Sequence, residues 1–315
     1  MQPTHLRCSV WLGSLVITVL VVSLTSCHPV AFYRNRLVKK LENHQITAHF
    51  IENENLKIKY WSGGNGPVLL FLHGFGGDAL TTWKSEMLEL CSTYTVVAPD
   101  LLWFGESYAS WDANLESQTR AIEILLDELG ADTISVIGQS YGGFIATDLL
   151  MKHPEMIKRL CIANSPGPDY RPEQLDTVCR SFGVNTIEEL FIFEDPQMVQ
   201  RIFNLASFKD RRIPKSVLNE TYSLYFDQNH NELRQLMQTL KSEPIRSEVF
   251  NLMKKMDMMI LWGEKDELFF LDQGKHFAYE AEAELIVIEG AGHAPQMDNP
   301  RRFTKEVASF FGTKD

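Results

Sequence analysis

Residues 133–151 read TISVIGQSYGGFIATDLLM, and their reading decides the fold. Thr133 to Ile137 is a short continuous apolar run, the pattern of a strand whose sheet is covered on both faces. Tyr141 to Met151 has the apolar spacing of a helix. Between them, Gly138-Gln139-Ser140-Tyr141-Gly142 sets a serine two residues from a glycine on either side. A strand that turns sharply into a helix strains the central residue and projects its side chain outward, and side-chain-free neighbours leave room for that turn. Ser140 is therefore the candidate nucleophile, with Gly138 and Gly142 as its supports. Glycine and serine also fill ordinary turns, so the rest of the chain has to decide.

Short apolar runs recur at Val68 to Leu72, Tyr94 to Ala98, Ile157 to Ala163, Met258 to Trp262 and Leu285 to Ile288. Helical patterns lie between or after them, at Leu80 to Leu90, Leu115 to Leu129, Leu271 to Ala281 and Arg301 to Phe311. This alternation predicts an α/β fold with a mostly parallel, doubly wound sheet, right-handed crossovers, and a ligand beyond the carboxyl ends of the strands. Ile51 to Trp61 alternates loosely and reads as antiparallel edge strands, closing in the turn Ser62 to Pro67. The interval from Ala163 to Met258 is far longer than a normal crossover. Its segments Pro172 to Arg180, Gln197 to Leu205 and Val217 to Leu240 read as helices, so a helical cap is expected after the sixth strand. The expected organisation is a signal or anchor over 1–27, a basic linker over 28–50, a core over 51–165 and 246–315, and the cap over 166–245.

A serine hydroxyl is a poor nucleophile until a base takes its proton, and that base needs a carboxylate to fix its tautomer and stabilise its charged form. Leu261-Trp262-Gly263-Glu264-Lys265-Asp266 puts Asp266 in the loop at the end of one apolar run. Glu289-Gly290-Ala291-Gly292-His293 puts His293 in the corresponding loop after the last one. The chain order Ser, Asp, His is the order this architecture uses. Singly, Asp266 reads as a turn-former and His293 as a surface loop histidine; jointly they make a candidate triad with Ser140. Glu264, Glu267 and Asp272 compete for the carboxylate role, as does Asp169 after the preceding strand, and Asp266 ranks first. Of the other histidines, His153 ends a helix, His276 sits in a helical pattern, and His5 and His28 belong with the amino-terminal segment.

A tetrahedral intermediate also needs hydrogen-bond donors aimed at its oxyanion. Leu72-His73-Gly74-Phe75-Gly76-Gly77 is the second donor loop, and the donors are assigned to the amides of Phe75 and Tyr141, with His73 and Gly74 in support. A phosphate cradle is the alternative for such a loop, but the lysine and hydroxyl residue of a P-loop are absent.

The formal net charge of -11 argues against nucleic acid, which needs a basic face. A neutral or apolar small molecule fits better as partner. The five cysteines, at 8, 27, 91, 161 and 179, lack the paired spacings of a metal site, so no metal is expected. Cys161 reads as a buried, inert thiol. Ser9 to Ser26 carries no charge and is rich in Val and Leu, which marks a membrane-seeking segment. Leu24-Thr25-Ser26-Cys27 resembles the lipobox of bacterial lipoproteins, which implies cleavage before Cys27 and its lipidation, on the periplasmic or outer-membrane side. The alternative is an uncleaved amino-terminal anchor, with Arg34, Arg36, Lys39 and Lys40 biasing the downstream side towards the cytoplasm. Both readings put the protein at a membrane.

Taken together, these residues resemble the α/β-hydrolase superfamily from about Ile51 to Phe311, the cap excepted. His73-Gly74-Phe75-Gly76-Gly77 and Asp100-Leu101-Leu102-Trp103-Phe104-Gly105-Glu106-Ser107 are similar to motifs of bacterial lipoprotein lipases and membrane-anchored monoacylglycerol lipases. The family usually has glycine where this chain has Trp103. The resemblance implies a cofactor-independent lipase or carboxylesterase, acting on acylglycerols or medium-chain esters through an acyl-enzyme. Dehalogenases and epoxide hydrolases of similar fold use a carboxylate nucleophile instead. The alternatives are a serine hydrolase of a carbon-carbon, thioester or peptide bond, and a ligand-binding protein without turnover. Phe182, Phe191, Phe193, Phe203, Leu205 and Phe208 are candidates for an acyl pocket, or for seating the cap helices.

Overall fold

A computed structural model describes residues 28–170, 175–209, 212–242 and 248–312. The expected signal or anchor, with Cys27, lies outside the described residues. The sheet has nine strands: β1 (Thr47–Asn53), β2 (Leu56–Gly64), β3 (Val68–Leu72), β4 (Thr95–Pro99), β5 (Tyr108–Ala109), β6 (Ile134–Gln139), β7 (Ile157–Ala163), β8 (Asp257–Gly263) and β9 (Glu284–Ile288). Its order is β1-β2-β4-β3-β6-β7-β8-β9, with β5 paired to β2. Strands β4, β3, β6, β7, β8 and β9 run parallel, and β2 joins them antiparallel. This is the doubly wound sheet the alternation predicts.

The continuous apolar runs follow from cover on both faces. Leu70, Leu72, Val136, Leu160, Ile162, Ile260 and Trp262 enter one core, while Leu69, Phe71, Ile137, Cys161, Ala163, Met259 and Leu261 enter the other. Successive strand residues point to opposite faces, so each of these inner strands supplies both cores and has no solvent side. The first core lies under α3 (Leu115–Glu128) and α4 (Tyr141–Lys152), the second under α2 (Ala79–Leu90) and the terminal helix. Asp78 caps α2 by accepting from the Thr81 amide at 2.8 Å, and Asn114 caps α3 by accepting from the Ser117 amide at 2.8 Å.

Two boundaries differ from expectation. The stretch 28–50 contains a helix, α1 (Pro29–Glu42), and the start of β1. Its Leu41 is fully buried in the second core, so it is part of the domain and not a linker. Tyr108–Ala109 forms a strand too short to leave a periodic signal, which makes β7 the seventh strand in chain order.

After β7 come α5 (Leu175–Phe182), α6 (Ile187–Phe191), α7 (Val199–Ala206), α8 (Lys215–Tyr225), α9 (His230–Ser242) and α10 (Glu248–Met253). The expected helix from Val217 to Leu240 is two helices. Asn229 between them adopts φ 57°, a left-handed conformation that a helix cannot pass through. Phe193, Val199, Leu218, Tyr222 and Phe226 form a small core belonging to this insertion alone. The chain then returns through β8, α11 (Leu271–Ala281), β9, α12 (Pro295–Asp298) and α13 (Pro300–Phe311). Among the described residues no helix is long and apolar enough to cross a membrane.

Candidate active site

Strand β6 ends at Gln139 and α4 begins at Tyr141, leaving Ser140 alone at the turn with φ 51° and ψ −118°. Such a backbone is strained for any residue with a side chain. The turn is crowded: a Cβ on Gly142 would lie 2.2 Å from the Leu72 carbonyl oxygen, and one on Gly138 would lie 2.5 Å from that of Gly142. Only glycine fits at either place. The Ser140 amide donates to the Ala163 carbonyl at 2.9 Å, which ties the turn to the end of β7.

Three loops at one edge of the sheet then converge. Ser140 Oγ lies 2.8 Å from His293 Nε2, and His293 Nδ1 lies 2.9 Å from Asp266 Oδ2. Ser140, His293 and Asp266 are all buried. Asp266 also accepts from the amides of Leu268 and Phe269 at 2.8 and 3.0 Å. With the carboxylate held this way, Nδ1 carries the ring proton and Nε2 is left to accept the serine proton. Three of the competing carboxylates lie elsewhere. Glu264 accepts from the Gly290 amide at 3.0 Å, Glu267 is exposed, and Asp272 pairs on the surface with Lys275 at 3.0 Å. Asp169 belongs to a single turn over Gly167–Asp169.

Three residues that sequence reasoning missed hold this arrangement. Asn164, with φ 46° and no exposure, donates from Nδ2 to Asp266 Oδ2 at 2.7 Å and accepts at Oδ1 from the Gly263 amide at 3.2 Å. Gln139 donates from Nε2 to the His293 carbonyl at 3.2 Å, joining the serine turn to the histidine loop. Asp298 accepts from the Gly292 amide at 2.8 Å, one residue before His293. The residue type was the available signal, a polar side chain just beyond a strand or at a loop end.

His73 is a tie between loops. Its Nε2 accepts from the Leu101 amide at 2.9 Å, so Nδ1 carries the proton and donates to the Gly74 carbonyl at 2.8 Å. Burial pushes its pKa down to about 4, so the ring is neutral near pH 7 and both nitrogens are occupied. His153 pairs with Glu123 at 2.9 Å, at the opposite end of α4 from Ser140. Cys161 is a buried thiol on β7, its ionisation raised well above the usual thiol range by burial. Trp103, where the resemblance predicts glycine, has a left-handed backbone with φ 66°. It is held there by its indole donating to the Ala109 carbonyl at 3.2 Å and by Asn229 donating to its own carbonyl at 3.0 Å.

An apolar cavity of about 50 Å³ lies over Ser140. Phe75, Tyr141, Phe144, Tyr170, Leu268 and Phe269 line it from the core, and Leu175, Ile187, Phe191, Leu236, Met237 and Leu240 from the inserted helices. Tyr141 opens α4, so the positive end of the helix dipole faces the serine. Of the six residues considered for an acyl pocket, Phe191 lines this cavity. Phe193 belongs to the insertion's own core and Phe203 packs against it; Leu205 and Phe182 pack in the first core, and Phe208 is exposed. Those five seat helices or face solvent.

The family model described as alpha/beta hydrolase fold matches residues 67–300. Epoxide hydrolase 3 of Mus musculus is 25% identical over 299 residues, covering 82% of this chain and 75% of its own. Lipase 1 of Psychrobacter immobilis is 27% identical over 256 residues, covering 77% and 76%. Among solved structures, a membrane phospholipase A described as a novel bacterial virulence factor aligns with TM-score 0.72 and 22% identity, over 95% of this chain and 97% of its own.

Proposed function

Because this chain belongs to the α/β-hydrolase fold family, we propose that it hydrolyses carboxylic esters through an acyl-enzyme on Ser140, with His293 as base and Asp266 as its orienting carboxylate. The observation that carries this reading is the continuous hydrogen-bonded chain from Asp266 through His293 to Ser140, opening into an apolar cavity. The serine oxygen attacks the ester carbonyl as its proton passes to His293 Nε2. The resulting oxyanion accepts from the amides of Phe75 and Tyr141, each such donor lowering the barrier by about 3 kcal/mol. Collapse expels the alcohol, which takes the proton from the imidazolium. Water then attacks the acyl-enzyme, giving its proton to His293, and the acid leaves as Ser140 regains the proton.

A serine at the elbow forms an acyl ester that water can clear, and this favours the ester chemistry of Lipase 1 over the epoxide chemistry of the mouse relative. The cavity lining has no charged side chain, which suits an acyl chain. Together with the apolar segment Ser9 to Ser26, this supports lipid-like esters, monoacylglycerols among them, as substrates. The same segment supports tethering to a membrane, by a lipid on Cys27 or by an uncleaved anchor. The membrane phospholipase among the structural neighbours is consistent with that placement. The intact mass of the mature protein distinguishes the two tethers.

The test is fluorophosphonate labelling of the parent and of Ser140→Ala, combined with turnover of nitrophenyl esters of increasing chain length and of monoacylglycerol. Labelling of the parent alone, with turnover of esters, is expected. Equal labelling of both proteins would remove Ser140 from the mechanism, and labelling without ester turnover would move the reading to another acyl bond.

A further inference from the structure

Helix α1 begins at Pro29, two residues after Cys27, and its first turn is held by the cap. Both carboxylate oxygens of Glu220 on α8 accept from its leading amides, Val30 and Ala31, each at 2.9 Å. A carboxylate at a helix start satisfies donors that have no intrahelical partner and meets the positive end of the dipole. One turn later Arg34 Nη1 donates both to Asp78 Oδ2 and to the Tyr225 hydroxyl. Its guanidinium also lies 5.3 Å from the centre of the Tyr225 ring.

Asp78 is the residue on which the proposed oxyanion loop ends. It follows Gly74-Phe75-Gly76-Gly77 directly, is 1% exposed, and starts α2 by accepting from the Thr81 amide and hydroxyl. Tyr225 closes α8, and Phe226 after it packs on the same loop, 3.1 Å from where a Cβ on Gly76 would stand. One guanidinium therefore meets the end of the oxyanion loop and the end of a cap helix together. Burial would push the Asp78 carboxyl up, but Arg34 and the Thr81 donors hold it below the usual carboxylate range.

We propose that Arg34 is a positioning residue: it fixes the loop carrying the Phe75 amide and clamps the cap helix α8 against it, which makes the amino-terminal helix part of the reaction machinery. This rests on the ester-hydrolase reading above. Loss of the clamp loosens a transition-state donor while leaving the acyl cavity lined as before, so it acts on kcat and not on KM.

The experiment uses the full chain in detergent with a short, soluble nitrophenyl ester, each variant being assayed well below its own melting temperature. Arg34→Gln is expected to lower kcat about tenfold with KM within about twofold, as a small displacement of a catalytic group does. Arg34→Lys, which keeps the cation but not the fork, is expected to fall between it and the parent. A folded Arg34→Gln with the parent's kcat overturns the proposal, as does a rise in KM at constant kcat. If Arg34→Gln does not fold, Arg34→Lys decides, because full parental kcat in that variant overturns the proposal and a reduced kcat at unchanged KM supports it. A parent that turns over no ester, with the Ser140→Ala control equally inert, would instead defeat the underlying functional reading.

Discussion

The carboxyl edge of the sheet and the helices laid over it are held by different means. At the edge, positions follow from the covalent chain: alternating side chains lock the strands between two cores, and the turn at Ser140 admits only glycine at its tight points. The inserted helices have a small core of their own, enter the first core through residues such as Val178, Leu190 and Leu236, and add polar ties to the edge. Asn229 bonds the Trp103 carbonyl at 3.0 Å, Glu220 holds α1, and the Ala294 amide donates to the Ala206 carbonyl at 2.7 Å. Asp298 accepts from the Ser207 hydroxyl, from the Phe208 amide at 2.8 Å and from the Gly292 amide at 2.8 Å. Close packing resists displacement in every direction, and the polar ties fix the register of the inserted helices on the edge. The difference predicts that edge substitutions act on kcat and cap substitutions on selectivity, with Asp298 acting on both.

The sharpest edge test is Asn164→Gly, which removes the amide beside Asp266 while tolerating the left-handed backbone. We expect kcat to fall on the order of 10- to 100-fold, because the carboxylate loses a charge-assisted donor, with KM little changed. Steady-state kinetics check this, and an unchanged kcat would mean that Asp266 needs only its two backbone donors. Next in size is Asp298→Ala, which strands the Gly292 and Phe208 amides. An expected loss of about 2 kcal/mol in denaturant melts, with a several-fold drop in kcat, would mark the residue where the two regions meet. A loss of stability with fully parental kinetics would separate them.

On the cap side, Phe191→Ala enlarges the cavity. It should shift the ratio of long- to short-chain ester turnover several-fold while leaving the short-ester kcat near the parent's. An unaltered chain-length profile would take α6 out of substrate recognition.

The remaining test concerns pH-dependent stability. Asp100 accepts from the Ala79 amide at 2.9 Å, and burial and then the neighbouring Asp78 charge raise its pKa to about 7. A carboxyl raised on folding holds its proton in the native state while the unfolded chain has lost it, so it lowers stability as pH rises from about 4 to about 7. Asp100→Asn should therefore gain on the parent as pH rises through that window and keep the full gain above it. Parallel pH–stability curves for the two proteins would refute the assignment.

Much of the edge was legible in the sequence because local chemistry dictates it. The runs Val68–Leu72 and Ile157–Ala163 and the helix Leu271–Ala281 have the bounds their patterns predict, since burial on two faces or one stripe writes a period into the chain. Ser140, His293 and Asp266 announced themselves through flanking glycines and strand ends, and the structure brings all three within hydrogen-bond reach. Asn164, Gln139 and Asp298 carried only a polar side chain near the end of a strand or loop, too common a feature to single them out. Asn164 and Gln139 act on groups more than ninety residues away, and Asp298 on a backbone amide, so no local spacing encodes them. Helix α1 read as a linker because its partners Asp78, Glu220 and Tyr225 are equally remote. The aromatic residues of the cap were ambiguous for a different reason: a phenylalanine that seats a helix and one that lines a cavity look alike until the packing is known.

Asp298 also links two motions. Because a single carboxylate grips both the turn at 207–208 and the strand of chain entering His293, swinging that turn outward cannot be separated from loosening the proton acceptor. Such linkage is reciprocal: whatever steadies the chain entering His293 also steadies the turn at 207–208, and a disturbance of either is felt at the other.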